Sequence, residues 1–162
     1  MSGIRMRKRI IPTAQQYPPV PDSDWLDLAR LAEVEITSED PAHPIESALL
    51  PKGGSGWCAA NPGEQTIRLV LTSPQRIRRI WLEFVEPSTE RTQQFVLRWS
   101  ADGGKSFREI VRQPWNFSPH GATSETEDYR VDLPDASVIE LSIIPDTTGG
   151  DARASLARLR LA

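Results

Sequence analysis

The sequence predicts an all-β domain, an antiparallel β-sandwich of about eight strands preceded by a short N-terminal helix, and three observations carry that prediction. From Thr66 onward apolar and polar residues alternate in short runs, the two-residue period of strands with one buried face. Fourteen prolines and ten glycines cut the chain into pieces, which suits strands and turns better than long helices. No helical pattern is long enough to cover a parallel sheet, so antiparallel sheets packed face to face, as in a jelly roll, are the economical solution.

With 162 residues, 38% hydrophobic and 25% charged, the chain is of globular composition and fits one core. Residues 1–23 read as an irregular lead-in, because Pro12, Pro18, Pro19 and Pro21 remove donors and bias their neighbours to extended backbone. The domain then occupies 24–162. Asp24 caps a helix through Leu31, with Trp25, Leu28 and Leu31 at helical spacing. Val34 and Ile36 alternate with acids in a first strand, 45–50 forms a helical turn, and three glycines make 51–56 a loop.

The alternating faces follow in order. They are Ile67, Leu69 and Leu71; Ile80, Leu82 and Phe84; Phe95, Leu97 and Trp99; a shorter run over 107–112; Tyr129, Val131 and Leu133; Ile139, Leu141 and Ile143; and finally Leu159 with Leu161. Trp81 falls on the face opposite Ile80 and Leu82, a place for a covering segment or for self-association into a homo-oligomer.

Charge narrows the function classes. The net charge is −3, yet Arg5, Arg7, Lys8 and Arg9 stand near the start with no acid beside them, so the body is more acidic than the total. An acidic body argues against a nucleic-acid binder, which needs a basic face for phosphates. No apolar run approaches the length of a membrane span, and no secretory signal is recognisable at the start. Cys58 is the single cysteine, so no intrachain disulfide is required and the cytoplasm is the expected compartment.

The segment 112–121, Arg-Gln-Pro-Trp-Asn-Phe-Ser-Pro-His-Gly, reads as a long loop followed by Thr123, Glu125 and Glu127. It sets Trp115 and Phe117 among Asn116, His120 and Glu125, the mixture sugar recognition needs. An aromatic plane meets the C–H face while polar groups fork onto hydroxyls. The alternative is that Trp115 and Phe117 plug one end of the sandwich. Arg91, beside a rim loop, either joins the ligand set or pairs with Glu90 or Glu125. The run Ser100 to Phe107 carries a Ser-x-Asp-x-Gly-x-Ser-aromatic pattern that reads as a structural turn around Asp102. Enzyme chemistry is unsupported: His43, His120 and Cys58 are scattered, and Glu125 and Glu127 lack the separation across a cleft that glycosidases use. No metal or cofactor is expected.

Three stretches resemble the discoidin, or coagulation-factor type C, family, whose galactose-binding-like jelly roll recurs in carbohydrate-binding modules. They are Gly56-Trp57 with Gln65-Thr66-Ile67-Arg68-Leu69; Arg91 to Phe95 with Leu97 and Ser100-Ala101-Asp102-Gly103-Gly104; and a closing strand from Leu156 to Leu161, like the one lying beside the first strand in that family. The resemblance implies a non-catalytic module that binds a sugar or other small polar ligand through loops at one end. Arg91, Trp115, Asn116, Phe117, His120 and Glu125 are then the ligand set, while Trp57 packs in the fold. An intracellular module for protein partners is the alternative. Relatives with an Asp-Gly turn before the tryptophan hold calcium nearby, whereas Lys52 stands in that stretch here.

Overall fold

The computed structural model describes residues 8, 24–51 and 54–162. The expected lead-in, Lys8 aside, and the stretch at Lys52 therefore lie outside the described residues. The elements are α1 (Leu28–Leu31), β1 (Ala32–Ile36), α2 (Glu46–Leu49), β2 (Trp57–Pro62), β3 (Gln65–Val85), β4 (Arg91–Ser100), β5 (Arg108–Phe117), β6 (Ser124–Ile144), β7 (Arg153–Leu156) and β8 (Arg158–Leu161). Strands dominate and pair antiparallel, as the alternation requires.

Four of the predicted runs turn out to be two strands. The faces at 67–71 and 80–84 both belong to β3, and those at 129–133 and 139–143 both belong to β6; each strand is 21 residues long. The register between them slips around Gln75 and Ile77, where Pro74 and Pro134 stand. Proline gives no ladder donor, so the paired ribbon turns a corner there without ending.

The corner divides each long strand between two sheets. In the first sheet β1, residues 65–70 of β3, residues 138–144 of β6, β4 and β5 lie side by side. In the second, residues 77–85 of β3 are flanked by residues 124–133 of β6 and by β8. Strands β2 and β7 make a separate ribbon. The closing strand β8 thus pairs with β3, Ile80 opposite Leu161 and Leu82 opposite Leu159, and not with the first strand as the resemblance implied. Strand β1 takes the other half of β3 instead, Val34 opposite Leu69.

Ile67, Leu69, Ile80, Leu82, Phe95, Leu97, Leu141, Ile143 and Leu159 form one buried core, with Phe84 stacked on Phe95 at 5.1 Å. Trp57 is buried in it and donates its Nε1–H to the Ser38 carbonyl, the packing role expected of it. Gly56 precedes it at φ 93°, where a Cβ would meet the Leu156 carbonyl at 2.5 Å; only glycine fits that approach. The turn after β4 is structural as anticipated: Asp102 accepts from the Ser100 and Ser106 hydroxyls and from the Ser106 amide, which holds its carboxyl well below the usual range.

Because the β3–β6 ribbon doubles back, its two ends meet. Loops 86–90, 118–123 and 145–152 gather there, tied by Glu86 N–H to the Thr123 carbonyl and Thr147 N–H to the Thr92 carbonyl. The corner and the turn after β4 lie together at the opposite end, where the Ser137 hydroxyl donates to the Ser100 carbonyl.

Leu97 is fully buried in this core. Truncating it to alanine should cost about 2–5 kcal/mol and lower the thermal midpoint with a cooperative transition retained. Leu97→Asp, which strands a charge in the core, should yield no folded protein by circular dichroism; a wild-type melt from either variant would contradict the packing described.

Candidate functional site

The loop end is organised around Arg91, the first residue of β4. Its side chain is buried, and its Nε donates to Glu86 Oε1 at 2.9 Å. Its Nη1 donates to the Pro145 carbonyl at 2.6 Å and to Gln93 Oε1 at 3.3 Å. The guanidinium lies over the Phe117 ring, 4.9 Å from its centroid, a contact that gains strength when desolvated. Arg91 therefore pairs with Glu86, not with Glu90 or Glu125 as anticipated. Glu86 directly follows β3 and its carboxylate is only part-exposed, whereas Glu90 projects from an exposed loop.

The segment carrying Trp115 to Phe117 is not a loop. Strand β5 continues through Phe117, with Gln93 opposite Trp115 and Thr92 opposite Asn116. Pro114 is tolerated because β5 is the edge of its sheet. Side chains alternate accordingly: Phe117 is buried, Trp115 is half-buried against the core, and Asn116 is exposed. The loop proper is 118–123, closed by the Ser118 N–H to the Ala122 carbonyl, and His120 stands exposed on it.

Over the Arg91–Phe117 pair opens a hollow of about 430 Å³, lined also by Glu90, Thr92, Asn116, Asp146 and Thr148. The Thr92 hydroxyl donates to Asn116 Oδ1 at 2.7 Å. Asp146 accepts from the Thr148 hydroxyl and amide, which holds its carboxyl below the usual range, so it faces the hollow ionised. Three of the anticipated residues, Arg91, Asn116 and Phe117, thus come together, two as floor and one as rim. Trp115 lines a neighbouring hollow of about 350 Å³ with Pro114, Asn116 and Ala122, and His120 lines neither. Asp146 and Thr148 escaped the sequence reading, although the Asp-Thr-Thr-Gly-Gly turn at 146–150 was there to be weighed.

A polar layer lies just inside this end. Glu125 is 1% exposed and Gln93 is wholly buried. Burial, and then the adjacent Glu127 carboxyl, push Glu125 up to about 8, while the Gln93 amide opposes them. Tyr129, beside Glu127, is raised for the same reasons, burial first. The Glu127 side chain is hydrogen-bonded to Glu125, far closer than the two carboxyls of a glycosidase stand across their cleft.

Elsewhere the described residues offer little reactive chemistry. Burial, with Asp40 and Glu86 adding to it, raises the Cys58 thiol, away from the thiolate a nucleophile needs. His43 Nδ1 meets Ser55 Oγ at 3.0 Å, with no carboxylate bonded to its other nitrogen among the described residues. Nor do three His, Cys, Asp or Glu side chains gather among them as metal ligands would. No helix of the described residues is long and apolar enough to cross a membrane. A further hollow of about 500 Å³ is lined by Leu28, Val34, Ile45 and Leu49 together with Glu39 and Glu46, a more aliphatic wall than that of the loop-end hollow.

No family model and no curated sequence matches the chain. Solved structures do. The chain is similar to a pectin-binding carbohydrate-binding module, at TM-score 0.60 and 18% identity over 82% of this chain and 90% of that one. It is similar to the CBM32 of AlyQ, solved with 4,5-unsaturated mannuronic acid, at 0.61 and 17% over 82% and 95%. A third is CpGH89CBM32-5 from Clostridium perfringens, solved with GalNAc-β-1,3-galactose, at 0.60 and 20% over 85% and 98%. The likeness is one of fold, and the chain has the discoidin-type, galactose-binding-like β-sandwich.

The Glu125 carboxyl gives this end a pH signature. Folded, it keeps its proton until about pH 8; unfolded, it loses it near 4.5. Its contribution to stability is therefore complete below the lower value and is lost as pH rises through the upper one, by roughly a few kcal/mol. Thermal melts from about pH 5 to about pH 9 should fall more steeply for the wild type than for Glu125→Gln. Parallel profiles would show that the carboxyl ionises freely in the fold.

Proposed function

We propose that the chain is a non-catalytic carbohydrate-binding module that takes its ligand in the loop-end hollow. The observation that carries this reading is the make-up of that hollow. Glu90, Thr92, Asn116, Asp146 and Thr148 offer hydroxyl, amide and carboxylate groups around a floor made by the Arg91–Phe117 pair. A sugar needs both kinds of surface, because its hydroxyls seek donors and acceptors while its C–H face seeks an apolar or aromatic one. The similar structures support the same class, since those solved with ligands hold a uronic acid and a GalNAc-containing disaccharide.

Each residue then has a role. Arg91 acts from below: held by Glu86 and Pro145, it fixes the Phe117 ring and keeps the floor rigid, so little ordering cost falls on binding. Asn116, Thr92, Asp146 and Thr148 contact hydroxyls. Trp115 widens the apolar surface on the far side of Asn116. The ionised Asp146 and nearby Glu90 favour a neutral sugar over an acidic one, because an anionic ligand would meet like charge.

Calorimetric titration of galactose, N-acetylgalactosamine and galacturonic acid tests this. The neutral sugars should bind at millimolar concentration, the acid more weakly. Asn116→Ala should weaken binding by about 3–10-fold, the worth of one neutral hydrogen bond, without changing the melt. No heat from any of the three sugars with folded protein, or an unaffected Asn116→Ala variant, would reject the assignment.

A further inference from the structure

Strand β1 is an open edge of the first sheet, paired on one side only, with β3. The Thr37 N–H donates to the Thr66 carbonyl, and hydrogen-bonded positions alternate along an antiparallel pair. Glu33 and Glu35 therefore turn their backbone groups to β3, while Val34 and Ile36 turn theirs to the open side. No other strand of the described residues takes those groups. An unpaired row of this kind is a template for an incoming strand.

The side chains of β1 divide by the same period. Val34 lies opposite Leu69 and Ile36 opposite Ile67, so both point to the inner face of the sheet. There they wall the hollow of about 500 Å³ with Leu28, Ile45 and Leu49. Val34 is 36% exposed, a degree of exposure that only Val85 exceeds among the large hydrophobic side chains of the described residues. Glu33 and Glu35 point to the outer face and are exposed, and no ion pair among the described residues reaches either. Arg68, opposite Glu35, bonds Glu140 instead. Glu39 and the exposed Glu46 add two more acids in the wall of the hollow.

This pattern selects an occupant. A strand laid along the edge would set alternate side chains beside Glu33 and Glu35 on the outer face, and the others over Val34 in the hollow. Basic residues suit the first set and aliphatic residues the second. A second copy pairing through its own β1 would bring the glutamates of the two copies against each other, and like charges directly opposite destabilise a pair. An acidic segment would meet the same repulsion. A sugar has no ladder to offer, and the aliphatic wall would leave its hydroxyls unmet.

We propose that the β1 edge is a docking site for an extended segment of a partner protein in which basic and aliphatic residues alternate, added to the sheet as a further strand. The backbone groups of Val34 and Ile36 hold it, the hollow takes its aliphatic side chains, and Glu33 and Glu35 select its charge. The site does not rest on the loop-end reading, since none of these residues lines either loop-end hollow.

A heptapeptide of alternating arginine and valine, titrated into the labelled full chain, is the probe. Backbone amide shifts should change saturably at residues 32–37 and around the hollow at 28 and 45–49. The same peptide with glutamate in place of arginine should move none of them. Glu33→Gln combined with Glu35→Gln, both at exposed positions that leave the fold intact, should weaken the arginine peptide by about 3–10-fold. Proline in place of the central valine of the peptide keeps the charge but removes a ladder donor, and should weaken binding by about tenfold or more. Still amides at β1 in the folded protein would overturn the site. So would equal binding of the proline peptide or an unaffected double variant, because charge attraction alone or attachment elsewhere would then account for the response. Shifts at β1 that follow protein concentration without peptide would assign the edge to a second copy instead.

Discussion

Strands β3 and β6 stay paired over about twenty residues, and the bend they share decides where every loop goes. At Pro74 and Pro134 the ladder loses donors and slips register, so the ribbon folds over and presents one apolar face to itself. Ile67 and Leu69 on one arm then bury the same interior as Ile80 and Leu82 on the other. Strands β1, β4 and β5 extend one arm and β8 extends the other. Without that corner there would be a single long ribbon with a hydrophobic side and no second layer to cover it.

The same bend separates rigid chemistry from adaptable chemistry. Because both ribbon ends arrive together, Glu86 after β3 and Pro145 after β6 stand on either side of Arg91 at the start of β4. A buried arginine with its charge matched and its ring contact made is a fixed floor. Above it, Thr92 and Asn116 stand on strand ends, whereas Asp146 and Thr148 sit on a turn locked by their own side chains. Such turns vary in sequence without disturbing the sheets, which is how one sandwich carries different ligand specificities.

Much of the fold could be read from periodicity, because each strand has one dry face and the two-residue repeat is explicit. What periodicity hid was continuity. Pro74 and Pro134 look like strand ends, yet in a corner they remain extended and paired, so two strands read as four. The same misreading of proline made 112–121 a loop, although Val111, Gln113, Trp115 and Phe117 alternate as strand residues do. Strands β2 and β7 had no such pattern to betray them, being short and rich in alanine, serine and other small residues. Of the candidate residues, Arg91, Asn116 and Phe117 line one hollow, and in the sequence they stood out as aromatic and polar side chains beside turns. Glu125 stood out as an acid but sits inside the sandwich, and its partners Gln93 and Tyr129 went unnoticed because only the fold brings β4 and β6 face to face.

The proposed seat of the ligand is the Arg91–Phe117 floor at the loop end. Backbone amide shifts of the labelled chain, followed during a galactose titration, locate the seat. The largest changes should fall at residues 90–92, 116–117 and 146–148, with the corner at 73–76 and 134–137 unmoved. Saturable changes centred on the corner, or on the aliphatic hollow beside Leu28 and Leu49, would contradict it.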